Sequence, residues 1–251
     1  MPDILAEALR VDGLIWLAVA VFFAGLVRGF SGFGSAMIIM PAATTVLSPV
    51  EAVLFMSATE LLGPLPNLPS AWRTAARPDV GLLMLGALLA LPLGLWWLTS
   101  VNPEIFSWAV SIIVLTLLVL LMTGWRFRGT LTRKMTVGAG ALGGFMTGIS
   151  GLPGPPVIML YMASTLPISV IRANFLLYLL AIDLVLFPVL WMTGLMVWKI
   201  VVLGLAIGLI NVAGNALGGL LFNPNAERTF RNVAYLIIAT SAILGLPIWK
   251  G

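Results

Sequence analysis

The sequence GLVRGFSGFG at residues 25–34 returns in the second half of the chain as GFMTGISGLP at residues 144–153. Four positions of the two copies are identical, and an apolar run follows each copy. The dipeptide Asn-Pro also recurs, at 102–103 and at 223–224, each time between two apolar runs. Similarity at several places along both halves predicts that the chain arose by duplication.

The composition indicates that a lipid bilayer surrounds most of this chain. Hydrophobic residues make up 61% of its 251 positions and charged residues only 9%, whereas soluble domains carry about 25% charged residues. A membrane crossing needs about 20 apolar residues. We therefore predict an all-α polytopic membrane protein with apolar runs at 14–47, 50–70, 80–100, 105–124, 135–163, 168–193, 197–221 and 230–249.

The duplication divides the chain into a first transmembrane repeat at 1–125, a cytoplasmic linker at 126–134 and a second repeat at 135–251. The first and fifth apolar runs are too long for one straight crossing, and each contains a glycine-rich break. If each run folds into a hairpin, every half has an odd number of segments, which inverts the second half. The positive-inside rule favours inverted repeats, because most basic residues then share one face. The alternative is two parallel halves of plain spans, which would place Arg228 and Arg231 outside.

The glycine-rich interruptions are the first candidate functional segments. Glycine and proline stop a helix and free backbone groups, which membranes tolerate only where they face protein, water or a ligand. Broken helices that meet near the midplane are typical of transporters. Close helix packing on small residues is the alternative interpretation. The candidate ligand-facing positions are Ser31, Gly32 and Gly34 in the first copy and Ser150, Gly151 and Gly154 in the second.

Three charged residues stand out because they lie far from the ends of their apolar runs, where a charge costs about 2.5–3.5 kcal/mol on insertion scales. Arg28 presents a fork of donors that suits oxyanions, and beside a new helix start it predicts an anion site. Its counterpart Thr147 is neutral. Glu60 and Asp183 lie in matching runs of the two halves, and intramembrane carboxylates are candidates for a proton relay. A structural ion pair, for instance with Arg28, is the alternative for both carboxylates.

A second polar pattern lies in the run at 50–70. Ser57, Glu60, Pro64 and Asn67 follow one another at intervals of three or four residues. This spacing predicts that they share one face of a single helix.

Amides and a tyrosine in the second half supply weaker signals. Asn211 and Asn215 are four positions apart, as are Asn174 and Tyr178. Such pairs contact a substrate or bond one helix to another, and the sequence leaves both interpretations open. We take Asn211, Asn215 and Tyr178 as candidate substrate ligands.

The sequence excludes the commonest enzyme chemistries. It has no cysteine and no histidine, so we expect no metal site and no cofactor. The stretches at 29–32 and 148–151 match the G-x-S-G pattern of intramembrane serine proteases, but the base that would activate the serine is missing. The net charge of +4 comes from short loops, so it predicts membrane topology rather than a nucleic-acid partner.

Residues 25–41, together with residues 144–156 and the Val-Ile-Met that follows, resemble the paired glycine-rich signatures of the sulfite exporter TauE/SafE family. The resemblance extends over nearly the whole chain. It implies a multi-pass permease of the bacterial inner membrane that exports sulfite or a small organosulfonate, a small sulfur-containing anion, through a site between the repeats. It leaves open whether protons are coupled to export and whether the protein forms a homodimer.

Two further functions stay open at the level of the sequence. One is a permease for another small anion, such as a carboxylate or a thiosulfate-like ion. The other is a membrane scaffold subunit that transports nothing, in which the buried polar residues only hold helices together.

Overall fold

The computed structural model describes residues 7, 10–31, 34–123, 132–161, 166–221 and 226–249. Within these residues the chain forms helices and turns and has no β-strand, which confirms the predicted all-α class. The α-helices are α1 (Leu14–Ser31), α2 (Ser35–Thr44), α3 (Pro49–Glu60), α4 (Leu68–Thr74), α5 (Arg77–Ser100), α6 (Pro103–Thr123), α7 (Arg133–Ser150), α8 (Gly154–Tyr161), α9 (Ile168–Met192), α10 (Trp198–Leu221) and α11 (Glu227–Leu244). Short 3-10 turns cover Leu65–Asn67 and Pro247–Trp249.

Five of the described helices, α1, α5, α6, α9 and α10, are long and apolar enough to cross a membrane. Their outer faces expose large apolar side chains, among them Leu89, Trp96 and Leu220. So many exposed large apolar side chains on helices of this length are unusual for a protein in water and indicate a lipid environment. The protein is therefore a multi-pass membrane protein.

The predicted run at 14–47 folds into a helical hairpin. Between α1 and α2 the chain passes through Gly34, whose φ of +94° lies in the left-handed region that favours glycine. At the other end, the indole Nε1 of Trp16 donates to the Ala42 carbonyl at 3.3 Å and to the Thr45 hydroxyl at 3.1 Å. The end of α2 therefore lies beside the start of α1, and α2 runs back along α1.

The predicted run at 135–163 breaks in a similar way. Helix α7 ends at Ser150 and is capped by Gly151, whose φ is +64° and whose N–H donates to the Thr147 carbonyl at 2.9 Å. The chain then turns back, because a Cβ atom placed on Gly143 would lie 2.9 Å from the Pro153 carbonyl oxygen. Both glycine-rich segments therefore interrupt their helices, as broken helices require.

The run at 50–70 is not one helix, so the prediction of a shared face is wrong for half of its residues. Ser57 and Glu60 both lie in α3, but α3 ends at Glu60. Pro64 and Asn67 lie beyond that end, in the turn that leads to α4. The physical reason is Pro64, which lacks a backbone N–H and disfavours helical geometry in the residue before it.

Glycines bring helices of the two halves into backbone contact. A Cβ atom on Gly29 of α1 would lie 2.8 Å from the Cα of Gly218 in α10, and one on Gly148 of α7 would lie 2.5 Å from the Cα of Gly94 in α5. Small residues at helix crossings allow this close approach. Each glycine-rich helix thus packs on a long helix of the other half, while inversion of the second half stays a prediction.

Inverted repeats predict that Thr74 and Thr193 face opposite sides of the membrane. Thr74 precedes α5 and Thr193 precedes α10, and both residues are exposed. The chain has no native cysteine, so Thr74→Cys and Thr193→Cys each create a unique labelling site. We expect a membrane-impermeant maleimide to label Thr74→Cys only from the cytoplasmic side and Thr193→Cys only from the opposite side. Labelling of both from one side would contradict the inversion.

Candidate functional site

Helix α3 forms the buried centre of the protein. Its residues are buried from Ala52 to Glu60, and helices α2, α5, α9 and α10 pack around it. The helix ends inside the protein at Glu60 rather than at a surface. The last turn of a helix has carbonyl groups without intrahelical partners and carries a partial negative charge. A cation is therefore favoured beside this end.

Arg28, in the last turn of α1, provides that cation. Its Nη1 donates to Glu60 Oε2, and the two side chains form an ion pair. The Arg28 side chain is 18% exposed and that of Glu60 is 9% exposed, so both charges are largely removed from water. The structure thus contains the ion pair with Arg28 that the sequence analysis gave as an alternative role for Glu60.

Asp183, in the middle of α9, is the second carboxylate near the guanidinium. It is 8% exposed, the Ser57 hydroxyl donates a hydrogen bond to it, and it lies within electrostatic reach of Arg28. We refer to Arg28, Glu60 and Asp183 as the charge cluster. With all three ionised, this cluster has one more negative than positive charge.

Several buried polar atoms on α3, α9 and α10, which pack together, lack a hydrogen-bond partner among the described residues. They are Thr59 Oγ1, Glu60 Oε1, the Tyr178 hydroxyl and both amide atoms of Asn211. Buried polar groups in proteins are almost always hydrogen-bonded, because an unsatisfied one costs about 1–3 kcal/mol. A set of such atoms around buried charges is typical of a site that receives a polar ligand.

Helix register places Asn211 at the level of the charge cluster. Gly204 of α10 contacts Ala58, and Gly208 contacts Leu62, so α10 runs in the same direction as α3. One turn later, Asn211 reaches the level of the chain just beyond the end of α3. It is only 1% exposed there, so its amide faces the protein interior.

Tyr178 links the second helix break to the charge cluster. Its hydroxyl contacts the backbone at Gly143 of α7, close to the turn after α7. The same side chain lies within electrostatic reach of Asp183. The structure therefore brings Arg28, Glu60 and Asp183 together and places Tyr178 within reach of Asp183, while Asn211 lies on the neighbouring helix α10.

The predicted serines bond to their own helices. Ser31 Oγ donates to the Val27 carbonyl at 2.6 Å, and Ser150 Oγ donates to the Met146 carbonyl at 2.9 Å. Such bonds are common for serine inside helices. Contact of these serines with a substrate stays a prediction.

In this structure, the predicted glycines and Asn215 are involved in backbone conformation and backbone packing. Gly34 and Gly151 adopt the left-handed conformation at the breaks, and Gly154 is the first residue of α8. Gly32 lies outside the described residues. The Asn215 carbonyl packs on the backbone of Gly29. A role of these residues in binding stays a prediction.

Sequence analysis did not identify Thr59 as a candidate site residue, and it did not predict the hydrogen-bond partners of Asn174. Asn174 Oδ1 accepts a bond from the Ala76 N–H at 2.8 Å, and its Nδ2 donates to the Tyr161 hydroxyl at 3.1 Å. Asn174 thus joins α8 and α9 to the start of α5, which is the interhelical bonding that its spacing left open. The signal for Thr59 was only its position next to Glu60.

The geometry agrees with the comparison to known families. Residues 17–244 match the family model of the sulfite exporter TauE/SafE. The chain belongs to this family. No curated protein and no solved structure matches the chain. The TauE/SafE family consists of membrane transporters and not of enzymes, so membership confirms the predictions of a membrane anion exporter and of a protein without enzymatic activity.

Proposed function

We propose that the protein exports sulfite or a small organosulfonate, and that the anion binds Arg28 in competition with Glu60. The observation that carries the proposal is a guanidinium held inside a membrane protein by one oxygen of a single carboxylate. A guanidinium has five donors in a fixed fork, which match the oxygens of a small oxyanion. Among the described residues, the bond from Nη1 to Glu60 is the hydrogen bond that this guanidinium makes, so its other donors are left for a ligand.

Neutral donors near Arg28 complete the proposed site. The Asn211 amide, the Tyr178 hydroxyl and the Thr59 hydroxyl are buried and have no partner among the described residues. An anion removed from water needs hydrogen bonds to replace its hydration. These three groups supply such bonds without adding charge.

The position of the charge cluster supports a site between the two repeats. Arg28 and Glu60 belong to the first half, whereas Asp183 and Asn211 belong to the second. Movement of one half against the other would therefore change the contacts around Arg28. Broken helices next to a central site permit such movement in transporters.

Proton coupling at Glu60 and Asp183 is part of the proposal. When an anion binds the Arg28 guanidinium, both carboxylates lose their counter-charge, and a buried unpaired charge is strongly unfavourable. A proton that joins one of the carboxylates removes this penalty. Location in a bacterial inner membrane is also proposed, on the family resemblance, and a homodimer stays a prediction.

A thermal-shift screen with purified protein in detergent tests anion binding. We expect sulfite and methanesulfonate to stabilise the fold, by about 2.7 kcal/mol at 100 times the dissociation constant, and sodium chloride at equal ionic strength to have little effect. Arg28→Met should abolish the shift, whereas Arg73→Met, at an exposed position of α4, should retain it. Stabilisation by carboxylates alone would favour a permease for other anions. Stabilisation by no anion would favour the scaffold.

A further inference from the structure

We infer that the anion and one proton bind together, and that Asn211 is the positioning residue that receives Glu60 once it is protonated. The inference rests on the proposed function and adds the direction of coupling to it. Anion and proton then cross the membrane in the same direction, as in a symporter.

The first step is the single bond that Glu60 makes. Its Oε2 accepts from Arg28, and its Oε1 is buried without a partner among the described residues. An anion on Arg28 would leave an ionised Glu60 buried beside a second negative charge, which low-dielectric surroundings oppose strongly. A neutral Glu60 releases Arg28 without this penalty. Binding of the anion and binding of the proton therefore favour each other.

The second step is an acceptor for the neutral carboxyl group. A protonated glutamic acid has an O–H donor that needs an acceptor when it is buried. Asn211 Oδ1 and Thr59 Oγ1 are buried acceptors without partners among the described residues, and Asn211 lies at the level of the end of α3, as its register shows. Asn211 Nδ2 stays available as a donor to the anion. A neutral Glu60 can donate to these acceptors, whereas an ionised Glu60 cannot.

The inference places the proton on Glu60 because the anion and Glu60 compete for the same guanidinium donor. Asp183 accepts a hydrogen bond from Ser57, whereas one oxygen of Glu60 has no partner among the described residues. Among the described residues, Glu60 pairs with Arg28 of α1, Arg28 lies within electrostatic reach of Asp183 of α9, and Asp183 lies within electrostatic reach of Tyr178 of α9. Helix α2 has no charged residue, and those of α5, α6, α7 and α10 lie in the first turn of their helices: Arg77, Asp79, Glu104, Arg133, Lys134 and Lys199.

One proton is gained and one is released in each transport cycle. A proton from water on the side where the anion enters adds to a Glu60 oxygen as the anion displaces that carboxyl group from Arg28. The proton returns to water on the other side when the anion leaves and Glu60 binds Arg28 again. An acidic interior should therefore speed outward anion flux, and an acidic exterior should slow it.

Proton uptake on anion binding tests the inference directly. A pH indicator in weakly buffered detergent solution reports protons taken up when sulfite or methanesulfonate is added. Methanesulfonate is the decisive probe, because it does not titrate near neutral pH. We expect wild type to take up close to one proton per bound anion. Glu60→Gln should bind the anion without proton uptake, whereas Glu104→Gln, an exposed acid at the start of α6, should behave as wild type does.

The role of Asn211 is tested by the pH profile of binding. Asn211→Leu should weaken anion binding roughly tenfold at neutral pH, because the neutral Glu60 loses a hydrogen-bond acceptor, and the defect should shrink as the pH falls. Asn211→Ser, which keeps a hydroxyl acceptor, should restore part of the affinity. In the double variant Glu60→Gln/Asn211→Leu, anion binding should not depend on pH.

Three results would overturn the inference. They are anion binding by wild type without proton uptake, unchanged proton uptake in Glu60→Gln, and a wild-type pH profile in Asn211→Leu. Each leaves anion binding, and hence the proposed function, intact. Absence of anion binding by folded wild-type protein would overturn the proposed function as well, so the two failures are distinguishable.

Discussion

Arg28→Met should lower the free energy of unfolding by about 3–5 kcal/mol, the range found when one partner of a buried ion pair is removed. The reason is that Glu60 and Asp183 would stay buried as carboxylates with no counter-charge. Unfolding in detergent, followed by circular dichroism against a denaturing detergent, measures the change. Arg73→Met is the matched control, since exposed surface substitutions usually stay within about 0.5 kcal/mol.

The double variant Arg28→Met/Glu60→Met separates stability from transport. Replacement of both partners of a buried pair by apolar residues of similar size is often neutral, so the part of the lost stability that is due to Glu60 should return, while Asp183 stays without its counter-charge. Anion binding should not return, because the guanidinium is absent. If Arg28→Met were as stable as wild type, the result would show that Arg28 does not compensate the charge of the buried carboxylates.

The second large effect is expected at the crossing of α5 and α7. In Gly148→Ala the added methyl group would lie 2.5 Å from the Cα of Gly94, and backbone cannot yield as a side chain can. Overpacking costs about 1–3 kcal/mol in ordinary cores, and we expect the upper end of this range or a loss of folded protein. Size-exclusion yield and melting temperature in detergent report the effect.

Gly138→Ala is the matched control for this substitution. Gly138 lies in the same helix, but a Cβ atom there would meet no atom within 4 Å. Alanine should be neutral there or stabilise by about 0.4–1 kcal/mol, since it restricts the unfolded chain. Equal tolerance of both substitutions would contradict the backbone contact between the two halves.

The features of the fold that depend on local chemistry could be predicted from sequence. Five of the eight predicted apolar runs contain a described helix long and apolar enough to span a membrane, and glycine with proline indicated the breaks after Ser31 and Ser150. The end of α3 at Glu60 was missed, because the 3–4 spacing through Asn67 matches an unbroken helix. That spacing describes a face only while the helix continues, and Pro64 ends the pattern.

The charged members of the site could be predicted because a charge inside an apolar run needs a partner or a function. Their pairing could not be predicted, since Arg28 and Glu60 lie in different helices whose contact depends on tertiary packing. For the same reason, the sequence could not predict that the Asn211 amide has no hydrogen-bond partner among the described residues. Whether an amide is satisfied depends on every helix around it, and spacing along one helix does not contain that information.

Efflux of radiolabelled sulfite from proteoliposomes is the most direct test of anion export through Arg28. Wild-type protein should empty the vesicles faster than protein-free vesicles, and faster still when their interior is acidic. The double variant Arg28→Met/Glu60→Met, reconstituted to the same density, should release sulfite no faster than empty vesicles do. Release by the folded double variant at the wild-type rate would contradict the account.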